Sequence, residues 1–194
     1  IDIGGAQSFF GVLPDIACFG KGMANGYPLS ALVGKKEVMQ LMQDIFFSTT
    51  FGGDTISIAA SIATIKKMEK LKTIQKVKLH GTKLINSLNK IITKEDLSDF
   101  IEISNTDWWP QVIIKKSYID KKLIDSLLRQ ELLKFGLLIG GTLNLCYAHL
   151  ESKAFNETLE KFEKAIKILK IYIDNDNPKV FLKGDYVQKT FKVR

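Results

Sequence analysis

The stretch FGKGMANGYPLSALVGKKEV, residues 19–38, decides how the first part of the chain is interpreted. Lys21 stands between two glycines at the end of the apolar run Ile16–Phe19, which we expect to form a short buried strand. A second short strand is predicted at 30–34, after a turn that contains asparagine and glycine. Glycine adopts backbone conformations that other residues avoid, so the flanking glycines let the chain turn sharply and present the lysine amine.

Two phosphate-binding motifs that combine glycine and lysine do not fit this turn. A P-loop needs a glycine where the chain has Asp15, and a hydroxyl residue after Lys21, where the chain has Gly22. A dinucleotide-binding turn needs the spacing G-x-G-x-x-G, and here Gly26 comes one residue too late after Gly20 and Gly22. Neither motif explains the turn.

A lysine that forms a Schiff base with a carbonyl compound is the third interpretation of Lys21. Such a lysine must react as a neutral amine, and partial burial lowers the pKa of lysines in general. The pattern of residues alone leaves open a second possibility, a surface lysine in a hairpin loop.

The composition of the chain bears on whether it binds nucleic acid or a membrane. The chain has 194 residues, 45% of them hydrophobic, which is enough for a core and for one or two domains. Its net charge is +7, but only Arg129 and Arg194 are arginines, and the lysines mostly alternate with acidic residues along helices. Arginine is the usual reader of phosphates and base edges, so we expect no nucleic-acid partner. No apolar stretch has the length of a membrane span, and no signal-peptide pattern opens the chain, so we expect no membrane partner.

The two cysteines predict a reducing environment. Cys18 and Cys146 lie in apolar runs without metal-ligand spacing, so we expect buried free thiols and a cytoplasmic protein.

Apolar periodicity predicts four helices and two further strands. The helices are expected from Asp54 or Thr55 onward, over about 73–92, from near Asp120 to a left-handed cap at Gly136, and from near Asn156. The strands are expected at 99–103 and 110–115, and the tail after Asp174 is polar and rich in turn residues. The pattern predicts two parts, residues 1–75 and 76–194, joined through a long helix.

The lysine segment resembles that of class III aminotransferases. Pro14-Asp15-Ile16-x-x-x-Gly20-Lys21, the glycine-rich turn and Pro28-Leu29 are similar to the branch of glutamate-1-semialdehyde aminomutase. The resemblance extends over about residues 1–170. It implies an α/β fold of fold type I, with part of the large α/β/α sandwich domain in residues 1–75 and a small C-terminal α+β domain in 76–194. It also implies that Lys21 forms a Schiff base with pyridoxal 5′-phosphate and transfers the proton during catalysis.

A second segment, Ser48–Asp54, resembles the stretch of the same family that binds the cofactor phosphate of the neighbouring subunit. Thr50 matches the phosphate-binding threonine, and a hydroxyl just before a helix N-terminus suits an anion. Asp54-Thr55 replaces the family's usual Asn-Pro. The resemblance thus implies a homodimer whose subunits share the active site.

The family's ring-nitrogen aspartate and main phosphate loop have no match in the chain; Asp2 and Asp15 have the wrong spacing. We therefore expect residues 1–194 to be the C-terminal half of an enzyme that acts on small-molecule amino donors and acceptors. The alternative is a catalytically silent, truncated paralogue that serves as an interaction module.

The substrate is harder to predict. Many class III enzymes carry a carboxylate-binding arginine in the stretch that matches 140–147, which has none here. We expect Trp108-Trp109 to form a half-buried strand edge, and His80 and His149 to be structural or exposed.

Overall fold

The computed structural model of the protein describes residues 1–188. Residues 189–194, the end of the tail considered above, lie outside the described residues. The chain divides into two compact units, of which the first is Ile1–Gln75 and the second begins at Lys76. Each unit is described by itself.

The helices and strands of residues 1–188 follow one another in this order: α1 Ala6–Phe10, β1 Ile16–Phe19, β2 Ala31–Gly34, α2 Lys36–Met39, α3 Thr55–Leu71, α4 Thr73–Lys94, β3 Ile101–Ile103, β4 Val112–Ile114, α5 Lys121–Lys134 and α6 Ser152–Ile173. Every strand and every long helix expected from periodicity is present. The last helix begins four residues before the expected Asn156. Helix ends are the least predictable part of a periodic pattern because the chain frays there.

In the first unit, β1 and β2 form an antiparallel ribbon in which Ile16 pairs with Gly34 and Phe19 pairs with Ala31. The expectation of a buried strand is wrong, because no residue of β1 or β2 is fully buried. A strand becomes buried only when layers cover both of its faces. In this unit α2 packs against β2, and that cover is partial.

Helix α3 begins as expected. The carboxylate of Asp54 accepts a hydrogen bond from the amide of Ser57 at 2.8 Å, which is a helix N-cap. The buried residues of the helix are Ser57 and Ser61, while Ile58 is 40% exposed and Ile62 is 49% exposed. Periodicity therefore predicted the helix correctly but not the face that packs.

The second unit has a continuous apolar core between α4, α5, α6 and the β3–β4 pair. Its fully buried large side chains are Leu88, Ile92, Leu97, Ile101, Ile124, Leu127, Leu128, Leu132, Phe162, Ile166 and Leu169. Leu79, which the helical pattern assigns to the same face, is 73% exposed. Gly81 lies where α4 meets the loop after β3: a Cβ atom there would lie 1.8 Å from the carbonyl oxygen of Asp107.

The turn after α5 confirms the expected cap. Gly136 has a φ of 76°, and the amide of Leu137 donates to the carbonyl of Leu132 at 2.8 Å. Helix α6 carries i,i+4 ion pairs on its exposed side. They join Glu157 to Lys161, Glu160 to Lys164 and Glu163 to Lys167.

Two local expectations are wrong. Cys18 and Cys146 are free thiols, but both are exposed. Trp108 and Trp109 lie in the turn between β3 and β4 and not at a strand edge. The indole N–H of Trp109 donates to Oδ1 of Asn144 at 2.9 Å, a contact across 35 residues that local pattern does not reveal.

Candidate functional site

Lys21 lies in a single 3₁₀ turn, Lys21–Met23, directly after β1. Gly20 enters the turn with an extended backbone, and Lys21 itself has a φ of 52°, in the left-handed region that few residues other than glycine occupy. A methyl group added to Gly22 would meet nothing within 4 Å. The lysine is exposed, so the turn presents its amine in open space.

The elements on either side hold this turn in place. Ala24, which ends the turn, is buried, and the turn packs against α3. At the far end of the ribbon, Lys35 binds Asp15 through both its backbone and its side chain. Its amide donates to the carbonyl of Asp15 at 3.0 Å, and its ammonium lies 2.6 Å from the carboxylate. The strained lysine thus lies between a two-stranded ribbon and a long helix.

Thr50 is exposed in a tight turn before α3. The amide of Gly52 donates to the carbonyl of Thr49 at 3.0 Å, and a Cβ atom on Gly52 would lie 2.9 Å from the hydroxyl oxygen of Thr49. A side chain at position 52 would therefore crowd this turn. No hydrogen bond or ion pair joins Thr50 to Lys21 within residues 1–188. The two candidate residues belong to the same unit, but the structure does not link their side chains.

Asp54 is the departure from the family pattern in this segment. Its carboxylate accepts hydrogen bonds from the hydroxyl of Ser57 at 2.5 Å and from the amide of Ser57 at 2.8 Å. These bonds lower the pKa of Asp54, so the residue carries its negative charge at the start of α3. The cap is retained, but the charge opposes an anion at the same helix end.

The second unit contains a cavity of about 580 Å³ that sequence analysis did not single out. The apolar run Leu137–Ile139 and the glycine that follows it line this cavity. The apolar wall of the cavity includes Leu84 and Phe155, and its polar lining includes His80 and His149.

Both histidines make structural contacts. The ring of His80 lies edge-on to Phe155, with centroids 5.3 Å apart. Burial lowers the pKa of His80, and the nearby charges of His149 and Lys83 add to that effect. Nδ1 of His149 accepts a hydrogen bond from the amide of Cys146 at 3.1 Å and caps the 3₁₀ turn Tyr147–Leu150.

The described residues contain no cluster of three or more histidine, cysteine and acidic side chains that could hold a metal ion. None of the helices in residues 1–188 has both the length and the apolar character that a membrane crossing requires.

Comparison with known proteins identifies the family to which the chain belongs. The model of the class-III aminotransferase family matches residues 5–103. A 3-aminobutyryl-CoA aminotransferase from Cloacimonas acidaminovorans is 38% identical over 115 residues, which cover 59% of this chain and 27% of that protein. A glutamate-1-semialdehyde 2,1-aminomutase from Nitrosopumilus maritimus is 32% identical over 183 residues, which cover 86% of this chain and 43% of that protein.

Solved structures agree on the fold. The FumI protein of Sphingopyxis sp. MTA144, in its pyridoxal-phosphate internal aldimine form, matches with a TM-score of 0.77 and 24% identity, over 92% of this chain and 42% of that one. A transaminase with pyridoxal phosphate bound matches with a TM-score of 0.73 and 19% identity, over 86% of this chain and 41% of that one. These likenesses confirm the expected fold type I.

The chain thus spans less than half the length of the relatives and solved structures it matches. The resemblance of the lysine segment to class III aminotransferases is confirmed. Because the family model covers residues 5–103 of 194, the chain belongs to the class-III aminotransferases.

Proposed function

We propose that this chain is the part of a pyridoxal-phosphate-dependent aminotransferase or aminomutase that carries the catalytic lysine, Lys21. The observation that supports this most is the exposed position of Lys21 in its turn. It is exposed, has a φ of 52° and stands between an extended glycine and a glycine with open space around it. A planar aldehyde needs such free access to the amine, so the residues that are present fit the cofactor.

Lys21 would hold the cofactor and then move a proton. Its amine would hold the aldehyde group of pyridoxal phosphate as a Schiff base. Nζ of Lys21 would also act as the base that moves the proton from the substrate's α-carbon. When bound, the cofactor supplies an electron sink for the pair of electrons that this proton leaves behind.

Thr50 would bind the cofactor phosphate. Its hydroxyl is exposed, and the glycine-rich turn after it leads into the N-terminus of α3, where the helix dipole favours an anion and the carboxylate of Asp54 offsets part of that effect. We propose that Thr50 acts on the phosphate of a partner subunit in a homodimer, which would explain why no hydrogen bond or ion pair joins it to Lys21 among residues 1–188.

Several apolar side chains of the first unit support an assembled state. Phe46 is 97% exposed, and Phe47 and Phe51 on the same segment are also exposed. Contiguous exposed apolar surface marks interaction sites, and these neighbouring aromatic residues would contribute to such a surface. The free, exposed thiols of Cys18 and Cys146 would persist in a reducing compartment, so we propose the cytoplasm.

An interaction module without catalysis would also present the exposed aromatic segment, and the chemistry at Lys21 distinguishes the two functions. The complete protein is incubated with pyridoxal phosphate and reduced with borohydride, which converts the C=N bond to a stable amine. We expect a pyridoxyl group on the peptide that contains Lys21, and none in Lys21→Ala. Lys36→Ala, which changes another exposed lysine nearby, should leave the labelling unchanged. A label on another lysine, or no label in the wild type, would favour the silent module.

A further inference from the structure

The residues after α6 fold back onto the second unit. Residues 177–188, which we name the strap, begin with the 3₁₀ turn Pro178–Phe181. Three of its side chains, Phe181, Leu182 and Tyr186, pack against the apolar core without being fully buried. The strap lies beyond residue 170, where the family resemblance of the sequence ends.

Gln130 on α5 holds the backbone of the strap with both ends of its side-chain amide. Nε2 donates to the carbonyl of Phe181 at 3.1 Å, and Oε1 accepts from the amide of Lys183 at 2.7 Å. In an extended chain the carbonyl of one residue and the amide two residues later point to the same side, and a parallel strand pairs with them in this way. The amide of Gln130 thus replaces a neighbouring strand.

One turn earlier on the same face of α5, Ser126 holds the end of the strap. Its hydroxyl oxygen accepts from the amide of Val187 at 2.9 Å and donates to the carbonyl of Lys122 at 2.6 Å. Ser126 is buried although it is polar, and these two bonds satisfy its hydroxyl.

The strap is also connected to a buried carboxylate. The ring of Phe181 stacks on Tyr172, with centroids 4.4 Å apart and an angle of 12° between the planes. The hydroxyl of Tyr172 donates to Oε1 of Glu131 at 3.1 Å, and Nε2 of Gln130 donates to the same oxygen at 2.9 Å. Glu131 is 1% exposed. Both side chains that hold the strap near Phe181 therefore also bind this carboxylate.

We propose that the strap opens and closes as one unit, separately from the unfolding of the second unit, with Gln130 as its latch. The strap has no continuous backbone ladder, and its anchors are three partly buried side chains and three hydrogen bonds to side chains. The fully buried large side chains of the described residues all lie outside it. A segment with few buried contacts opens at a lower free energy than the core beneath it. Opening separates Phe181 from Tyr172 and exposes the polar cluster around Glu131.

Hydrogen exchange of the complete protein tests the proposal. In the wild type we expect the amides of Lys183 and Val187 to be protected, but less than those of α5. In Gln130→Ala we expect strap protection to fall about tenfold or more and that of α5 to fall by a much smaller factor, since Gln130 also donates to Glu131. Gln75→Ala, which changes an exposed glutamine at the start of α4, should alter neither.

Two further variants exclude a general loss of structure. Ser126→Ala should reduce protection at Val187 more than at Lys183. In a chain truncated after Asp176, Gln130→Ala should lower the melting temperature less than in the complete chain, because only its hydrogen bond to Glu131 is left to lose. The proposal is overturned if strap and α5 lose protection by the same factor in Gln130→Ala, if the strap is unprotected in the wild type, or if Gln130→Ala has the same effect in the truncated chain.

Discussion

The side-chain amide of Asn89 makes two hydrogen bonds to the backbone of Ile103, donating to its carbonyl at 3.0 Å and accepting from its amide at 2.8 Å. These backbone groups lie on the outer edge of β3, away from β4. On the same edge the amide of Ile101 donates to the carbonyl of Leu97 at 3.0 Å. An unpaired strand edge can pair with another chain, so helix α4 protects this edge with one amide side chain.

Asn89→Ala should destabilise the second unit by about 1–3 kcal/mol, because it leaves two partly buried backbone groups without partners. Denaturant unfolding, followed by a signal from the second unit, measures the change. Asn86→Ala is the matched control on the same helix, since Asn86 is exposed and its side chain makes no hydrogen bond to any residue of 1–188. Equal midpoints for the two variants would show that the Asn89 bonds add nothing to stability.

Lys21→Ala in the complete protein should abolish both turnover and the visible absorbance of the lysine-bound cofactor. The reason is that no other amine stands in the same open turn between two glycines. Absorbance titration with pyridoxal phosphate and a transamination assay measure the two effects. Turnover that survives in Lys21→Ala would refute the assignment of the catalytic lysine.

Thr50→Ala should weaken retention of the cofactor by about 1.5–3 kcal/mol, the usual contribution of a hydrogen bond to a charged group. Equilibrium dialysis of the complete protein measures the occupancy, and Thr50→Ser, which keeps the hydroxyl, should restore most of it. Ser48→Ala removes an exposed hydroxyl two residues earlier and should have little effect. If all three variants retain the cofactor equally, Thr50 is only a neighbour of the helix cap.

Local pattern predicted the elements of the fold because periodicity and capping act over a few residues. Asp54 begins helix α3 by accepting a hydrogen bond from the amide three residues later. The turn at Gly136 ends helix α5 through a hydrogen bond between Leu137 and Leu132, which are five residues apart. Burial was predicted less well. Ile58 and Ile62 follow helical spacing but remain exposed, because burial depends on layers that a local pattern does not contain.

The candidate site shows the same division. Lys21 stands out as a candidate because glycines flank it and because its segment resembles that of a family. The latch at Gln130 could not be found, since its partners lie 51 and 53 residues away. Thr50 was proposed only through the family resemblance. That the charge of Asp54 lies at the N-terminus of α3 follows from the capping hydrogen bond in the structure.

Glu131 should make the second unit sensitive to acid. Burial would raise the pKa of its carboxyl, but hydrogen bonds outweigh that effect and hold the pKa below its ordinary value. The donors are Lys134, Gln130 and Tyr172. A lowered pKa in the folded state means that the carboxylate stabilises the fold above its unfolded pKa, near 4.3, and that this contribution is lost as the pH falls through the folded value.

Melting temperatures between pH 7 and pH 3 test this expectation, with pH values chosen around that pKa. Glu131→Gln should melt at a lower temperature than the wild type at neutral pH, and the difference should shrink in acid. Glu160→Gln is the control, because the Glu160–Lys164 pair is exposed and contributes little. A difference between Glu131→Gln and the wild type that stays constant with pH would contradict the assignment.

The 194-residue chain expressed alone should bind less than one equivalent of pyridoxal phosphate and should self-associate. Its first unit exposes large apolar side chains on several segments, among them Leu13, Phe46 and Ile62, whereas the second unit has a closed core. Exposed apolar surface of this extent promotes aggregation unless another chain or segment covers it. Size-exclusion chromatography and the visible spectrum measure the two properties, with the complete protein as the reference. A soluble, yellow and active 194-residue chain would show that the first unit needs no further cover and that the site is built from these residues alone.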